Sequence, residues 1–177
     1  HLLQYDSCYG IYEKKVGFAA DSLTVDGKKY KVTAEKEPAN LPWREMKVAI
    51  VLDCTGKLTK PADLEAHLIA GAGKVILSAP APANAAVGQP VKEGEMKTIV
   101  LSVNEKDLTK DDKIISMASC TTNCLAPVTK IIRDNFGLKK AVMSTVHAYT
   151  ADQNLIDKSH KDLRRARAAA LNIIPTT

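Results

Sequence analysis

The run Lys47-Val48-Ala49-Ile50-Val51-Leu52-Asp53 constrains this chain more than any other feature. It is rich in β-branched and aliphatic residues and lacks polar alternation, as in a strand covered on both faces within a parallel sheet. Cys54-Thr55-Gly56 then turns the chain, and Pro61 to Ala72 repeats apolar residues at helical spacing (Leu64, Leu68, Ile69). Gly73 is placed to end that helix. Lys74-Val75-Ile76-Leu77-Ser78 is a second buried run. Strand, helix, strand is the pattern of βαβ units in a doubly wound sheet, so the fold class is α/β.

The flanking segments fill out this frame. Ser22 to Val32 reads as a hairpin about Asp26-Gly27, a pair suited to a tight turn. Ala39-Asn40-Leu41-Pro42-Trp43 is a loop into a short helix. Ala79 to Glu95, rich in Pro, Ala and Gly, reads as an irregular loop. Thr98 to Val103 and Lys113 to Ser116 are the next expected strands. A helix is expected from Leu125 to Phe136 with Gly137 as its stop, followed by a strand from Lys140 to Val146. From Thr150 to Arg167 the pattern becomes polar, a long loop anchored by Leu155 and Ile156, and loops of that length are usually functional.

Charge and cysteine usage narrow the function classes. With 25 Lys and Arg against 20 Asp and Glu, the formal charge of +5 suits an anionic partner. The basic residues are scattered, apart from Arg164, Arg165 and Arg167, and aromatics make up only 5%. No stacking platform for nucleic acid is visible, and a small anionic substrate accounts for the charge equally well. Four cysteines, Cys8, Cys54, Cys120 and Cys124, are too sparse for a disulfide scaffold, and a reducing, cytoplasmic compartment is expected. A zinc site including Cys120, Cys124 and His147 is the alternative use, although no paired C-x2-C occurs. Apolar runs are too short for a membrane span, and no secretory signal opens the chain. The missing initiator Met and the abrupt Pro175-Thr176-Thr177 ending read as cut ends.

Ser119-Cys120-Thr121-Thr122-Asn123-Cys124 lies between a strand and a helix. A thiol there meets the positive end of a helix dipole and unpaired backbone N–H groups, which favour the thiolate over its ordinary pKa of about 8.5. The same donors can hold an oxyanion formed when the thiolate attacks a carbonyl. Cys124, one turn further on the apolar stripe, reads as a buried small residue. His147 ends a strand, where open α/β sheets bind ligands, and a neutral imidazole with a pKa of about 6.5 can accept a proton there. It can equally be a structural histidine, and spacing alone does not put it beside Cys120.

Ala118-Ser119-Cys120-Thr121-Thr122-Asn123-Cys124-Leu125-Ala126-Pro127 resembles the active-site signature of the glyceraldehyde-3-phosphate dehydrogenases. The likeness extends to His1-Leu2-Leu3-Gln4-Tyr5-Asp6-Ser7, Leu41-Pro42-Trp43, Cys54-Thr55-Gly56, Ser78-Ala79-Pro80, Thr145-Val146-His147-Ala148-Tyr149-Thr150 and Asp162-Leu163-Arg164-Arg165-Ala166-Arg167. It implies the later part of a Rossmann dinucleotide-binding domain over residues 1–118 and the start of an α+β catalytic domain over 119–177. It also implies Cys120 as nucleophile and His147 as base, acting on glyceraldehyde 3-phosphate and inorganic phosphate. Ser119, Thr121, Thr150 and Arg165 correspond to phosphate and substrate ligands, with Arg164 and Arg167 left to loop salt bridges. Lys36, Thr55, Gly56 and Ser78 correspond to residues lining the site of NAD, with NADP as the alternative cofactor. The family's assembly is a homotetramer, in which the loop matching Thr150 to Arg167 packs on a neighbouring subunit. Erythrose-4-phosphate dehydrogenase shares Cys and His and is the alternative within the class; a non-enzymatic basic binding fragment is the alternative outside it.

The sequence also departs from the family pattern. No G-x-G-x-x-G is present, nor its acidic ribose partner. Met117 stands where relatives usually carry Asn. Pro82 to Glu95 is longer than in common relatives. Lys158-Ser159 replaces a usual Leu-Pro; the Ser resembles the photosynthetic, NADP-accepting enzymes and their plastid compartment, and a neutral loop substitution is the other reading. Lacking part of each site, the isolated chain is expected to be inactive, and, lacking the opening strands of its sheet, to fold poorly.

Overall fold

In the computed structural model, which describes residues 1–80 and 96–175, the chain divides into two units, His1–Gly137 and Leu138–Thr177. The first begins with a short antiparallel ribbon, β1 (Tyr5–Asp6) and β2 (Gly10–Ile11). An antiparallel meander follows, formed by β3 (Val16–Ala19), β4 (Ser22–Val25) and β5 (Lys28–Lys31). The expected hairpin is β4–β5. Its turn places both Asp26 (φ 49°) and Gly27 (φ 79°) in the left-handed region, which matches the twist of the flanking strands. β3 was not expected from the sequence, because Val16-Gly17-Phe18-Ala19 lacks polar alternation and is short.

The strand–helix–strand core is present. β6 (Ile50–Asp53) leads to α1 (Pro61–Ile69) and then to β7 (Lys74–Leu77). Pro61 opens α1 at a position where its missing N–H costs nothing. Leu64 and His67, three apart, point inward. The helix ends earlier than the spacing predicts: Ala70 caps it and Gly71, at φ 109°, turns the chain out, rather than Gly73. A side chain at Gly71 would also collide with Arg44, whose Cβ stands 2.5 Å from the place a Cβ would occupy.

The remaining sheet strands are β8 (Lys97–Thr98) and β9 (Ile114–Ser116). The four-stranded sheet has the order β6-β7-β9-β8, and every neighbouring pair is parallel. Leu64, Val75, Leu77 and Met96 form the buried cluster, with Leu58, Leu68, Ala79 and Ile114 packed against it. Full burial of a side chain such as Leu64 is worth roughly 1.5–3 kcal/mol. On the outer strand, Ile50 and Leu52 remain exposed while Val51 and Asp53 are buried.

Several boundaries differ from expectation for local reasons. The strand expected over Thr98 to Val103 stops at Thr98. Beyond it the Asn104 side chain accepts from the Val100 N–H at 2.8 Å and donates to the Thr98 carbonyl at 3.0 Å, drawing the chain into a turn. Val100 is nonetheless buried. The helix expected from Leu125 begins at Cys120 and runs to Phe136 as α2, with Gly137 (φ 74°) ending it as read. The strand expected over Lys140 to Val146 is absent, and those residues are exposed. Residues 81–95, most of the expected Ala79 to Glu95 loop, lie outside the described residues. Among the described residues no helix is long and apolar enough to cross a membrane.

Candidate active site

Parallel strands deliver their following loops to one edge of the sheet, the usual place for ligands in α/β folds. Thr55 and Gly56 follow β6, Ser78 follows β7, and Ser119 and Cys120 follow β9. Backbone bonds lock these exits side by side. The Ser78 N–H donates to the Asp53 carbonyl, and the Met117 N–H to the Leu77 carbonyl, each at 2.9 Å. The structure thereby brings Thr55, Gly56, Ser78, Ser119, Cys120 and Thr121 to the same edge.

The approach to Cys120 is built residue by residue. Buried Ser116 donates its hydroxyl to the Ala79 carbonyl at 2.7 Å and accepts from the Ala118 N–H at 3.0 Å. Ala118 is left-handed (φ 62°), a conformation that costs a residue with a Cβ roughly 1–2 kcal/mol. Strain of this kind concentrates at functional turns. Ser119 is extended and caps α2, its Oγ accepting from the Thr122 N–H at 3.0 Å. The Asn123 amide donates to the carbonyls of Met117 (2.7 Å) and Ser119 (2.9 Å). The turn is thus braced although Met117 brings no side-chain amide of its own.

Cys120 is the first residue of α2 and is exposed, and Thr121 beside it is half-buried. No acidic residue occupies that first turn, so the positive end of the helix dipole favours negative charge beside Cys120. Cys124 is also exposed, which corrects the expectation of a buried small residue. The cause is that α2 has no buried residue, and its apolar stripe of Leu125, Val128, Ile131 and Ile132 is open.

Of the other cofactor-site candidates, Thr55, Gly56 and Ser78 are exposed. A cleft of about 460 Å³ is lined by Thr33, Glu35, Trp43, Asp53, Thr55 and His67 among others. Lys36 is exposed on the same segment as Thr33 and Glu35 but is not part of the cleft wall. Two lining residues, Asp53 and His67, were not singled out from the sequence. Asp53 accepts from the Thr55 N–H at 2.9 Å and the Thr55 hydroxyl at 2.7 Å. An Asp two residues before a Thr at a strand end is the legible signal for such a turn.

The unit Leu138–Thr177 carries the remaining candidates. His147 is exposed, with Nδ1 2.6 Å from the Ala148 carbonyl. A carbonyl only accepts, so the proton sits on Nδ1 and Nε2 is the basic nitrogen of the neutral ring. Thr150 is exposed, and its carbonyl accepts from the Gln153 N–H at 3.0 Å. Arg165 is more enclosed, with its Nε 2.7 Å from Asp152 and its terminal nitrogen bonded to Asp162. Arg164 also pairs with Asp162 at 2.9 Å, and Arg167 pairs with Asp157 at 3.3 Å. The Arg164 side-chain bonds, outweighing desolvation, hold the Asp162 carboxyl well below the usual carboxylate range. The Arg164 guanidinium is raised in turn by the same hydrogen bond.

Residues 1–61 match the family model described as glyceraldehyde 3-phosphate dehydrogenase, NAD binding domain, and residues 119–177 match the C-terminal domain of the same family. A glyceraldehyde-3-phosphate dehydrogenase of Mycoplasma pneumoniae is 51% identical over 177 residues, all of this chain and 50% of the relative. Glyceraldehyde-3-phosphate dehydrogenase 2 of Streptomyces avermitilis is 52% identical over 179 residues, again 50% of its length. The chloroplastic glyceraldehyde-3-phosphate dehydrogenase A of Chlamydomonas reinhardtii is 47% identical over 178 residues, 45% of its length. The chain spans about half the length of the curated relatives it matches. Two domain models of one family, in order, and identity near one half along the whole chain leave one conclusion: the chain belongs to the glyceraldehyde 3-phosphate dehydrogenase family.

Proposed function

We propose that this chain is the central part of a phosphorylating glyceraldehyde-3-phosphate dehydrogenase, with a domain boundary near Ala118 and Cys120 as its nucleophile. The observation that carries this reading is Cys120 at the first position of α2, at the carboxyl edge of a parallel sheet and behind a strained Ala118. His147 Nε2 takes the Cys120 thiol proton, the thiolate attacks the aldehyde carbon as the carbonyl π bond breaks, and the proton passes to that oxygen to give a hemithioacetal. His147 Nε2 takes the hydroxyl proton as the hemithioacetal loses hydride and becomes a thioester. NAD supplies the hydride acceptor, with NADP the alternative that Lys158 and Ser159 favour. Phosphate oxygen then attacks the thioester carbonyl, the C–S bond breaks, and the acyl phosphate leaves the thiolate restored.

The residues present fit the dinucleotide. Thr55, Gly56 and Ser78 are exposed at the sheet edge, beside a cleft whose lining carries Thr33 and Glu35. Ser119, Thr121, Thr150 and Arg165 hold the two phosphates, with hydroxyl donors and a guanidinium fork. At Arg165 the anion competes with Asp152, the more exposed of its two carboxylate partners. Lys36 lies beside the adenine end of the cofactor. Leu155, Ile156 and Leu163 are exposed, which supports a subunit contact in a homotetramer. The location is cytoplasmic, with a plastid as the alternative.

Iodoacetamide labelling at neutral pH with peptide mapping tests the nucleophile. Cys120 should be modified first, because it alone of the four exposed cysteines opens a helix. Preferential labelling of Cys8, Cys54 or Cys124 would sink the assignment.

A further inference from the structure

A chain of polar groups, buried at His67 and Asp53, runs from Trp43 to the loop that carries Thr55. The Trp43 indole nitrogen stands 3.1 Å from His67 Nδ1. His67 Nε2 lies 3.4 Å from Asp53 Oδ2. The other carboxylate oxygen, Oδ1, receives the Thr55 N–H and hydroxyl at 2.9 and 2.7 Å. Asp53 and His67 are 3% and 6% exposed, so these groups satisfy one another rather than water.

The direction of every bond follows from the donor inventory. An indole N–H only donates, so His67 Nδ1 must accept and carries no proton. The ring proton of the neutral form therefore sits on Nε2 and points at the Asp53 carboxylate. With both carboxylate oxygens engaged, Asp53 cannot rotate without breaking a bond, and the Thr55 hydroxyl is aimed by it. That hydroxyl in turn accepts from the Lys57 N–H at 3.2 Å, which brings Gly56 (φ 66°) into the same brace. Trp43 comes from the segment before β6, His67 from α1 and Asp53 from β6, so three separate parts of the first unit converge on one loop.

We propose that Trp43, His67 and Asp53 form a positioning relay that sets the Thr55–Gly56 loop for the dinucleotide, with His67 Nε2–H as its deciding link. The proposal rests on the reading of Thr55 and Gly56 as cofactor-lining residues. His67 touches no reacting atom; it acts through Asp53. Removing the link leaves Asp53 free to turn and the Thr55 hydroxyl without a fixed direction, which weakens cofactor binding and leaves the chemistry at Cys120 alone.

Two substitutions in the complete enzyme separate the halves of the imidazole. His67→Gln places an amide N–H where Nε2–H was and keeps donation to Asp53. His67→Asn places its amide where Nδ1 was and loses that donation. NAD dissociation constants from calorimetry should weaken roughly tenfold for His67→Asn and stay within about twofold of the parent for His67→Gln, the scale of one hydrogen bond. Turnover at saturating NAD should stay within about twofold in both, as for lost ground-state binding. Equal weakening in the two variants means packing alone and overturns the relay, as does unchanged affinity in His67→Asn. If His67→Asn does not fold, Trp43→Phe carries the test: it frees the tautomer and should weaken NAD roughly threefold, a fraction of a hydrogen bond's worth, and an unchanged constant overturns the proposal. A parent enzyme that fails to bind NAD overturns the cofactor reading itself, an outcome distinct from any pattern among the variants.

Discussion

Leu64, Val75 and Leu77 are wholly enclosed in the unit His1–Gly137, whereas in Leu138–Thr177 the buried residue among those described is Ala169. The first unit is ordered by apolar area removed from water, a non-directional force that rewards strands and helices packed face to face. The second holds its shape with directional polar bonds. Asn154 and Arg165 join through their backbones at 3.1 Å, Lys158 and Ala166 at 3.0 Å, and the Asp157 carboxylate accepts the Ala168 N–H at 2.9 Å. Asp152, Asp162, Arg164 and Arg165 add ion pairs. Exposed pairs and bonds of this kind are each worth little, so this loop has many small supports and no single large one. The proposed nucleophile therefore sits on a stiff sheet edge, while the proposed base and Arg165 sit on a polar loop.

The strongest test of that division is chemical. In the complete enzyme, His147→Asn should lower turnover by roughly 10²–10⁴-fold, the usual worth of a positioned base, and leave NAD affinity nearly unchanged. Normal turnover in steady-state assays would remove His147 from the mechanism.

A core truncation comes next. Leu64→Ala should cost about 2–5 kcal/mol in urea unfolding, since the cavity lies between α1 and β7 where little can collapse. A loss under about 1 kcal/mol, the range of ordinary surface changes, would mean that the first unit is not core-driven.

Acid should act on the second unit in a defined direction. Asp162 titrates lower when folded than when unfolded, chiefly through its Arg164 bonds. Its stabilisation is complete above the unfolded pKa of about 3.9 and is lost as pH falls through the lower folded value. Amide protection factors between Asp162 and Ala166, with exchange referred to its intrinsic rate at each pH, should hold steady from neutral pH to about pH 4 and fall only below it. A fall in protection already near pH 6 would show that some other group holds this loop. Asp112 in the first unit is a control: burial pushes its carboxyl up, but its bonds to Lys97 and Thr109 prevail and keep it lowered.

The smallest effect is expected at Leu155, 77% exposed on the loop. Leu155→Ala should change unfolding of the isolated chain by no more than about 0.5 kcal/mol. A larger loss would indicate apolar burial that the division above denies.

Continuous apolar runs located β6 and β7, and helical spacing located α1, but β6 is covered on one face here rather than both, since Ile50 and Leu52 are open. The hairpin turn was equally legible, since Asp26-Gly27 is among the few pairs that accept two left-handed residues in succession. Local pattern failed where partners decide. Lys140 to Val146 has strand character and forms no strand, because a strand needs a neighbour's hydrogen bonds. Thr98 to Val103 lost its later residues to the Asn104 side chain. At the candidate site, the Cys120 motif and the Thr55, Gly56 and Ser78 loops were found as separate stretches of sequence. Asp53 and His67 were passed over, since nothing in their spacing says that they touch.

By itself, the sequence determined the class of fold and the family and singled out Cys120 as the candidate thiol, all from residue type and order along the chain. Tertiary structure decided that α2 begins at Cys120 itself, that three strand ends share one edge, and that Trp43, His67, Asp53 and Thr55 form a single bonded chain. The physical reason is that helix caps, strand neighbours and buried polar bonds are satisfied by groups distant in sequence, and their choice depends on which partners the packed core brings within reach.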